Sequence, residues 1–419
     1  MCYNVFMVGA STNGEERVRP EQSGRFDDTR IPQLLPTTGV RQTKNITCVV
    51  GTRPEAIKMA PVILELRKDK DFHVTTLATG QHTDMLIQAL NDFGIVPDVN
   101  LNIMKKTQTL DYIIASVLQG VGEFLDANEQ DLILVHGDTS TTFAAALAGF
   151  HRHITLGHVE AGLRSHDLSL PFPEEANRVL TDSIMNLMFS PTKGDYDNLI
   201  REGKSEKNIF ITGNTVIDAL YAILEKQKGI SEPEYMNKAH GRPLILMTAH
   251  RRESWGETLR GICAGVIDVI RERNDVVFLI PLHKNPIVRD VIRECLRDYD
   301  DNVIFTEPLN YPEFVYAMNR SEFILSDSGG VQEEASAINK PVLIMRSVSE
   351  RPDAITHGTC ILVGTERDNI REKSLRILNE SEYMKAIIKK NTMPFGNGTA
   401  SVKIHEAIRK YFCREELLS

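Results

Sequence analysis

Three carboxylates in the sequence lie beside apolar segments, where side chains that transfer protons would be well placed. Asp138 lies two residues after His136 at the end of one apolar run, and Glu160 lies two residues after His158 at the end of another. Glu174 opens a helical pattern shortly afterwards. Acidic residues are rarely placed at buried strand ends without a partner or a task. We therefore expect Asp138, Glu160 and Glu174 to converge on one site of acid–base chemistry.

Each of these side chains also has an interpretation that needs no catalysis. A carboxylate in the first turn of a helix stabilises the helix dipole, which would be enough to explain Glu174. The two pairs of a histidine and an acid could instead bind a metal, because imidazole and carboxylate suit zinc or iron. No acidic cluster with matching ligand spacing completes such a site. The sequence therefore favours a site without a metal.

A second group of motifs has the composition of an anion site. The turn Gly51–Pro54 joins a strand to a helix, with Lys58 one turn inside that helix. The turn Ser328–Gly330 would expose backbone N–H groups at a helix N-terminus to a diphosphate. Glu334, one turn further, could accept the hydroxyls of a ribose. The residues predicted for this anion site are Arg53, Lys58, His250, His283, Ser328, Gly329, Gly330, Glu334 and Arg351.

These motifs are spaced by alternating strand and helix patterns. Strands are predicted over Ile46–Val50, His73–Ala78, Leu132–His136, Thr155–Val159, Pro243–Thr248, Val276–Pro281, Val303–Phe305, Phe323–Ser326 and Val342–Met345. Helices are predicted over Ala56–Lys68, Thr139–Gly149 and Val402–Phe412. Such alternation implies right-handed crossovers and parallel sheets. Because ligands bind beyond the carboxyl ends of parallel strands, the site is expected in a cleft between two doubly wound domains.

The charged stretch Glu225–Arg242 separates the two series of strands and is the predicted connection between domains. The predicted organisation is a leader over 1–44, a first Rossmann-like domain over 45–220, a connection over 221–242, a second domain over 243–385, and a segment over 386–419 whose helix packs back on the first domain.

Length and composition exclude several classes of protein. The chain has 419 residues, enough for two or three domains. Its composition, with 42% hydrophobic and 25% charged residues, is typical of globular proteins. A net charge of −9 argues against a nucleic-acid partner. No apolar run approaches the roughly 18 residues of a membrane span. Six widely spaced cysteines without a CxxC pair indicate reduced thiols and a cytoplasmic location.

Motifs of several common enzyme classes are absent from the sequence. No GxGxxG follows a predicted strand, which argues against a nicotinamide-binding turn. The sequence also lacks the GxxxxGK[ST] motif of P-loop nucleotidases and the GxSxG motif of serine hydrolases. We therefore predict no cofactor.

From Ile46 to the C-terminal helix, the chain resembles the non-hydrolysing UDP-N-acetylglucosamine 2-epimerases. The motifs that match, in order, are GTRPEAIKMAP (Gly51–Pro61), HGDT (His136–Thr139), HVEAGLR (His158–Arg164), PEEANR (Pro173–Arg178), TGNTVIDAL (Thr212–Leu220), HRRES (His250–Ser254) and SDSGGVQEE (Ser326–Glu334). The leader has no counterpart in the family.

The resemblance implies a GT-B-like fold, with two Rossmann-type parallel-sheet domains around a central cleft, and a homodimer. It also implies reversible conversion of UDP-N-acetylglucosamine to UDP-N-acetylmannosamine for surface polysaccharide synthesis. The hydrogen at sugar C2 is adjacent to no carbonyl group, so without a dinucleotide fingerprint we expect elimination of UDP to a 2-acetamidoglucal and its re-addition.

The resemblance also assigns roles to residues. Asp138, Glu160 and Glu174 would transfer protons on the two faces of C2, with the face of each left open. His250, counted among the catalytic residues, would hold the departing diphosphate together with Arg53 and the turn Ser328–Gly330. Phe314 and Arg351 would line the nucleotide pocket, Glu334 would bind the ribose, and Lys58 and His283 would support the site.

Two segments bear on details of the resemblance. Gln81 and His82 are similar to the part of the family linked to a second, activating UDP-N-acetylglucosamine. The stretch Glu307–Pro312 differs from versions that carry a glutamine near the uracil pocket. Three alternatives share the architecture: a hydrolysing 2-epimerase, a GT-B glycosyltransferase, and a sensor of nucleotide sugars without catalysis. The intact HVEAGLR and PEEANR motifs resemble the non-hydrolysing group rather than the hydrolysing one, and the three intact carboxylates argue against a glycosyltransferase and a sensor.

Overall fold

The computed structural model of the protein describes residues 43–80, 83–105, 108–251, 255–349 and 351–416. The leader predicted over 1–44 lies outside these ranges except for Thr43 and Lys44. Gln81, His82 and residues 252–254 of the HRRES motif also lie outside them.

The first sheet of the described residues contains seven parallel strands, with the order β3-β2-β1-β4-β5-β6-β7. The strands are β1 (Lys44–Val50), β2 (Phe72–Ala78), β3 (Val99–Asn100), β4 (Leu132–His136), β5 (Thr155–Val159), β6 (Leu187–Ser190) and β7 (Ile209–Ile211). The strand order reverses between β1 and β4, which pair side by side. In doubly wound sheets, a ligand binds at the carboxyl ends of the strands that flank such a reversal.

Helices cover both faces of this sheet, which explains why its central strands are apolar throughout. The helices of this part are α1 (Arg53–Leu66), α2 (Thr83–Asp92), α3 (Leu110–Ala127), α4 (Ser140–Phe150), α5 (Glu174–Ser183), α6 (Lys193–Arg201) and α7 (Thr215–Lys226), with a 3-10 turn at Glu206–Asn208. Alternate residues of each strand face opposite cores: Leu132 and Leu134 pack with α1, whereas Ile133 and Val135 pack with α3 and α4.

The second sheet contains six parallel strands in the order β10-β9-β8-β11-β12-β13. These are β8 (Leu244–Thr248), β9 (Val277–Pro281), β10 (Val303–Thr306), β11 (Phe323–Ser326), β12 (Val342–Ile344) and β13 (Cys360–Leu362). Its helices are α8 (Glu257–Glu272), α9 (Pro286–Leu296), α10 (Tyr311–Arg320), α11 (Gly329–Ala337), α12 (Pro352–Thr356), α13 (Arg367–Asn379) and α14 (Ser381–Lys390). The predicted pair of parallel α/β domains is thereby confirmed.

The last described helix, α15 (Ala400–Glu416), packs against α1 and α7 of the first domain. Asp218 of α7 accepts hydrogen bonds from the first two backbone N–H groups of α15, at 3.1 and 2.8 Å. Asp69 accepts a hydrogen bond of 2.7 Å from the ring of His405 and a second from Arg409. The chain therefore leaves the first domain after α7 and returns to it with α15.

Helix α7 lies at the boundary between the two domains. It packs against α1 on one side and against α10 and α11 on the other. The hydroxyl of Tyr221 donates to the carbonyl of Ala337 at 2.9 Å. The segment Glu225–Arg242 contains the end of α7 and a 3-10 helix over Glu234–Ala239, and Met236 and Ala239 are fully buried. This segment is thus structured and packed as well as connecting the two sheets.

No helix among the described residues is long and apolar enough to cross a membrane.

Candidate active site

Two cavities open at the carboxyl ends of the two sheets, and together they contain nearly all the predicted site residues. The first cavity, of about 420 Å³, is lined mainly by the first domain, and its predicted residues are Lys58, Asp138, Glu160, Glu174 and Arg351. The second cavity, of about 440 Å³, is lined mainly by the second domain, and its predicted residues are Arg53, His250, His283, Phe314, Ser328, Gly330 and Glu334. Gly329 is the first residue of α11, beside the second cavity.

Asp138 lies in the turn between β4 and α4, where Gly137 has a φ of +69°. Its carboxylate forms an ion pair with Arg178, a residue of α5 that the sequence analysis did not select. The amide of Asn177 donates to the backbone carbonyl of Asp138 at 3.0 Å. The start of α5 therefore fixes both the backbone and the side chain of Asp138, while 27% of the side chain stays exposed to the cavity.

Glu160 follows β5 with a backbone φ of 72°, in the left-handed region that non-glycine residues rarely adopt. It forms an ion pair with Lys58 and accepts a hydrogen bond of 2.9 Å from the side-chain amide of Asn214. Burial alone would raise the pKa of Glu160, but Lys58 and His136 hold it well below its ordinary value. Glu160 is thus a largely buried carboxylate, with 11% of its side chain exposed, that stays ionised.

Glu174 is the first residue of α5 and lines the first cavity. Within the part of the chain that the structure describes, its carboxylate has no hydrogen bond or ion pair. The neighbouring Glu175 is engaged instead, because it accepts the backbone N–H groups of Ser165 and His166 at 3.0 Å and pairs with Arg178. Glu175 therefore organises the loop before α5, and Glu174 remains available to a ligand.

The two histidines next to these carboxylates differ in their surroundings. His158 is fully buried, and its ring nitrogens lie 2.6 Å from a carboxylate oxygen of Asp182 and 2.7 Å from the carbonyl of Gly137. This ring is a structural support for the turn before Asp138. His136 lines the first cavity, and neither of its ring nitrogens has a hydrogen-bond partner among the described residues. Burial lowers the pKa of His136 to about 3, so its imidazole is neutral.

Glu55 ties together the turns that begin α1 and α4. One carboxylate oxygen accepts the backbone N–H groups of Gly51 and Thr52, at 2.6 and 2.8 Å. The other accepts the hydroxyls of Thr139 and Thr142. Burial raises the pKa of Glu55, against the effect of these four hydrogen bonds. Glu55 therefore fixes the turn that carries Arg53 relative to the turn that carries Asp138.

The N-terminus of α11 faces the second cavity with backbone that a ligand can approach. A side chain added at Gly329 or Gly330 would meet no heavy atom within 4 Å, so packing does not require glycine at either position. Open backbone N–H groups at the start of a helix are suited to a phosphate. The absence of side chains here therefore favours close approach of an anion.

His250 is oriented by a buried carboxylate that the sequence analysis passed over. Its ring lies 2.8 Å from Asp327, and the other oxygen of Asp327 accepts the backbone N–H groups of His250 and Arg251, at 2.9 and 2.8 Å. Burial would raise the pKa of Asp327, but His250 keeps it below its ordinary value. The ring of His283 stacks near that of His250, with 6.5 Å between their centroids.

Glu334 and Arg53 line the second cavity from opposite domains. Tyr311 donates a hydrogen bond of 2.8 Å to Glu334, and burial raises the pKa of Glu334 to about 7 despite this bond. Arg53 donates to the carbonyl of Leu309 at 3.2 Å, and burial lowers its pKa. This cavity thus combines a cation, a carboxylate and a helix N-terminus.

The arrangement separates two kinds of chemistry in one cleft. The first cavity contains the carboxylates of Glu55, Asp138, Glu160 and Glu174, of which Glu160 is held ionised, and the second contains the helix N-terminus suited to a phosphate. Among the described residues, no three His, Cys, Asp or Glu side chains are placed to share a metal ion. The predicted site residues did not include Glu55, Arg178, Asn214, Tyr311, Asp327 or Glu333, and His136 was considered only as a metal ligand.

Comparison with known proteins gives a consistent result. A family model described as UDP-N-acetylglucosamine 2-epimerase matches residues 64–409. The UDP-N-acetylglucosamine 2-epimerase of Escherichia coli K12 is 44% identical over 370 residues, which cover 87% of this chain and 98% of that protein.

Solved structures of the same kind are also similar. A crystal structure of UDP-GlcNAc 2-epimerase from Neisseria meningitidis bound to UDP-GlcNAc has a TM-score of 0.80 and 44% identity, covering 87% of this chain and all of that one. The Methanocaldococcus jannaschii UDP-GlcNAc 2-epimerase in complex with UDP-GlcNAc and UDP has a TM-score of 0.70 and 31% identity, covering 87% and 99%. The expected GT-B-like fold is confirmed by this likeness.

Proposed function

Since this chain belongs to the UDP-N-acetylglucosamine 2-epimerase family, we propose that it interconverts UDP-N-acetylglucosamine and UDP-N-acetylmannosamine without net hydrolysis. The observation that carries the proposal is the pairing of the two cavities. An anion site at the start of α11 lies in the same cleft as three carboxylates, and Lys58 keeps one of them ionised.

The proposed reaction begins with elimination. A carboxylate removes the proton from C2 of the sugar, and the C2–H electron pair becomes the C1=C2 double bond of a 2-acetamidoglucal. The C1–O bond breaks at the same time, and its electron pair leaves with UDP. Glu160 is a candidate for the removal of the proton because it is ionised and lines the first cavity. Asp138 and Glu174 are the further candidates for proton transfer.

Re-addition completes the inversion at C2. A proton returns to C2 from the opposite face, and a diphosphate oxygen forms the new bond to C1. This step requires UDP to remain bound after the first bond has broken. Arg53, His250 and the turn Ser328–Gly330 are proposed to hold the diphosphate, Glu334 the ribose, and Phe314 the base.

A single experiment tests the proposal. The enzyme is incubated with UDP-N-acetylglucosamine in D2O, and the sugar is followed by proton NMR. We expect UDP-N-acetylmannosamine to appear with deuterium at C2 of both nucleotide sugars. Free sugar with an equal amount of UDP would instead identify the hydrolysing type, and the absence of any exchange at C2 would contradict both epimerase reactions.

The homodimer, the cytoplasmic location and the supply of N-acetylmannosamine for surface polysaccharide stay predictions. The same is true of activation by a second UDP-N-acetylglucosamine, since Gln81 and His82 lie outside the described residues.

A further inference from the structure

Asn214 connects the two domains at the position of a proposed proton-transfer group. It is the N-cap of α7, where its side-chain oxygen accepts the backbone N–H of Val216 at 3.0 Å. Its amide nitrogen donates to Glu160 of the first domain at 2.9 Å and to Glu333 of the second domain at 3.0 Å. Only 2% of Asn214 is exposed. Every hydrogen-bonding atom of this side chain therefore has a partner.

The bridge is part of a longer chain of charged groups. Lys58 pairs with Glu160 on the first-domain side of Asn214, and Arg351 pairs with Glu333 on the second-domain side. Burial would lower the pKa of Lys58, but Glu160 and Glu333 together raise it. Each carboxylate thus has a cation on its outer side, and the neutral amide of Asn214 lies between the two carboxylates at the domain boundary.

The contacts of Glu160 distinguish its two oxygens. Oε1 receives hydrogen bonds from both Lys58 and Asn214. Oε2 lies 3.5 Å from the ring of His136, and the side chains of both residues line the first cavity. Because Oε1 is occupied, Oε2 is the oxygen that can receive a proton from a substrate. Lys58 and Asn214 together therefore leave Oε2 as the oxygen of Glu160 that is open to a substrate.

We propose that Asn214 is a positioning residue, which directs Oε2 of Glu160 toward the sugar only when Glu333 of the second domain is docked against it. This inference rests on the proposed function, in which Glu160 transfers a proton at C2. The amide can donate to both carboxylates only while the two domains are in contact. Closure of the cleft and orientation of the acidic group are thereby linked through one side chain.

Two substitutions test this role while keeping the helix cap. Asp and Ser are both good N-cap residues, so Asn214→Asp and Asn214→Ser retain an oxygen for Val216. Both remove the amide that donates to the two carboxylates, and Asp also adds a third negative charge. We expect kcat to fall by about tenfold or more, with KM changed by less than about threefold, since the substrate contacts remain.

The pH profile provides a readout that loss of a helix cap would not move. Removing a donor from an ionised carboxylate raises its pKa, so the acid limb of kcat should move to higher pH. The shift should be larger for Asn214→Asp than for Asn214→Ser. Thr109→Asp serves as the matched control. Thr109 is the N-cap of α3, where its hydroxyl accepts the backbone N–H of Tyr112 at 3.2 Å, and it lines neither cavity. It should leave kcat and the pH profile unchanged.

The possible outcomes separate this inference from the proposed function. If the wild-type enzyme turns over and both Asn214 variants keep its kcat and pH profile, the inference is wrong and the proposed function stands. If kcat falls only in parallel with the melting temperature and the pH profile does not move, Asn214 is merely a cap and the inference is again wrong. A wild-type enzyme without turnover would overturn both.

Discussion

At the scale of single residues, Asp138 and Glu160 are both acidic but are held in different ways. Glu160 is largely buried, adopts a left-handed backbone conformation and is paired with Lys58. Asp138 is more exposed and is paired with Arg178. Strained backbone tends to persist where the surrounding structure over-determines it, and often at functional sites. These differences are consistent with two carboxylates that carry out different steps on the same substrate.

We predict that Asp138→Asn loses turnover far more than it loses binding of the substrate. The substitution keeps the shape of the side chain but removes its capacity to exchange a proton, which is worth about 10²–10⁴-fold in rate. The check is kcat from NMR together with the dissociation constant of UDP-N-acetylglucosamine from calorimetry. If binding collapsed while turnover per bound substrate survived, Asp138 would be a binding residue.

Glu334 should make the stability of the protein depend on pH near neutrality. Its pKa is about 7 in the folded protein against 4.5 as its ordinary value, so the folded state favours the protonated form. The stabilisation is therefore present below about pH 4.5 and is lost as the pH rises to about 7. In urea unfolding, Glu334→Gln should gain stability relative to the wild type across this window, by at most about 3 kcal/mol. Parallel pH curves would contradict the prediction.

At the scale of elements, the turn between β1 and α1 depends on a close approach to α4. A side chain added at Gly51 would lie 2.4 Å from the hydroxyl oxygen of Thr141 and 2.8 Å from its Cβ. Such atoms cannot overlap, so the two turns held together by Glu55 would have to separate. The glycine is therefore required by packing between elements, whereas Gly329 and Gly330 are not.

We predict that Gly51→Ala destabilises the protein by about 1–3 kcal/mol, the usual cost of overpacking. Gly194→Ala in α6 is the control, because its added side chain would meet nothing closer than 3.5 Å. Replacing glycine by alanine inside a helix normally stabilises by up to about 1 kcal/mol. Equal effects of the two substitutions on denaturant unfolding would show that the close approach is unimportant.

The sequence predicts most strands that bury long apolar runs, although it misses β6, and it misses three of the four strands at the sheet edges. The run Leu132–His136 is a strand both in the prediction and in the structure, because both of its faces are covered. In contrast, β3, β7 and β13 have only two or three residues each, and their strand geometry depends on a neighbour that the sequence does not show. Strands are therefore predicted best where their own residues form an apolar run.

A similar limit applies to the site. Residues directly after strands, such as Asp138 and Glu160, are predictable because the carboxyl ends of parallel strands meet. Asn214 and Glu333 lie in motifs that the sequence analysis recognised, but no role was assigned to them. These two residues are separated by 119 positions in the sequence and belong to different domains. Only the packed structure shows that these two side chains face one another.

At the scale of the whole molecule, the contacts of α15 with the first domain should respond to acid. Partial burial would raise the pKa of Asp69, but His405, the backbone N–H of Asp71 and Arg409 lower it to about 2, from an ordinary value of 3.8. A lowered pKa in the folded state gives stability that is present above about pH 4 and is lost as the pH falls toward about 2.

We therefore predict that Asp69→Asn destabilises the protein at neutral pH and that this difference shrinks as the solution is acidified below about pH 4. Urea unfolding of both proteins between about pH 3 and 7 measures the difference. Lys193→Ala, which removes an exposed ion pair with Asp197, is a suitable comparison because such pairs contribute about 0–1 kcal/mol. A constant difference at every pH would mean that the charge of Asp69 is unimportant.

The return of α15 to the first domain has a mechanical consequence. The second domain is joined to the first by two connections of the polypeptide chain, one after α7 and one before α15. If a protease cut the exposed stretch 228–231, the two domains would therefore still be connected through the chain before α15. The proposed reaction requires UDP to stay bound between its two chemical steps, and two connections would keep both domains in place around it during that time.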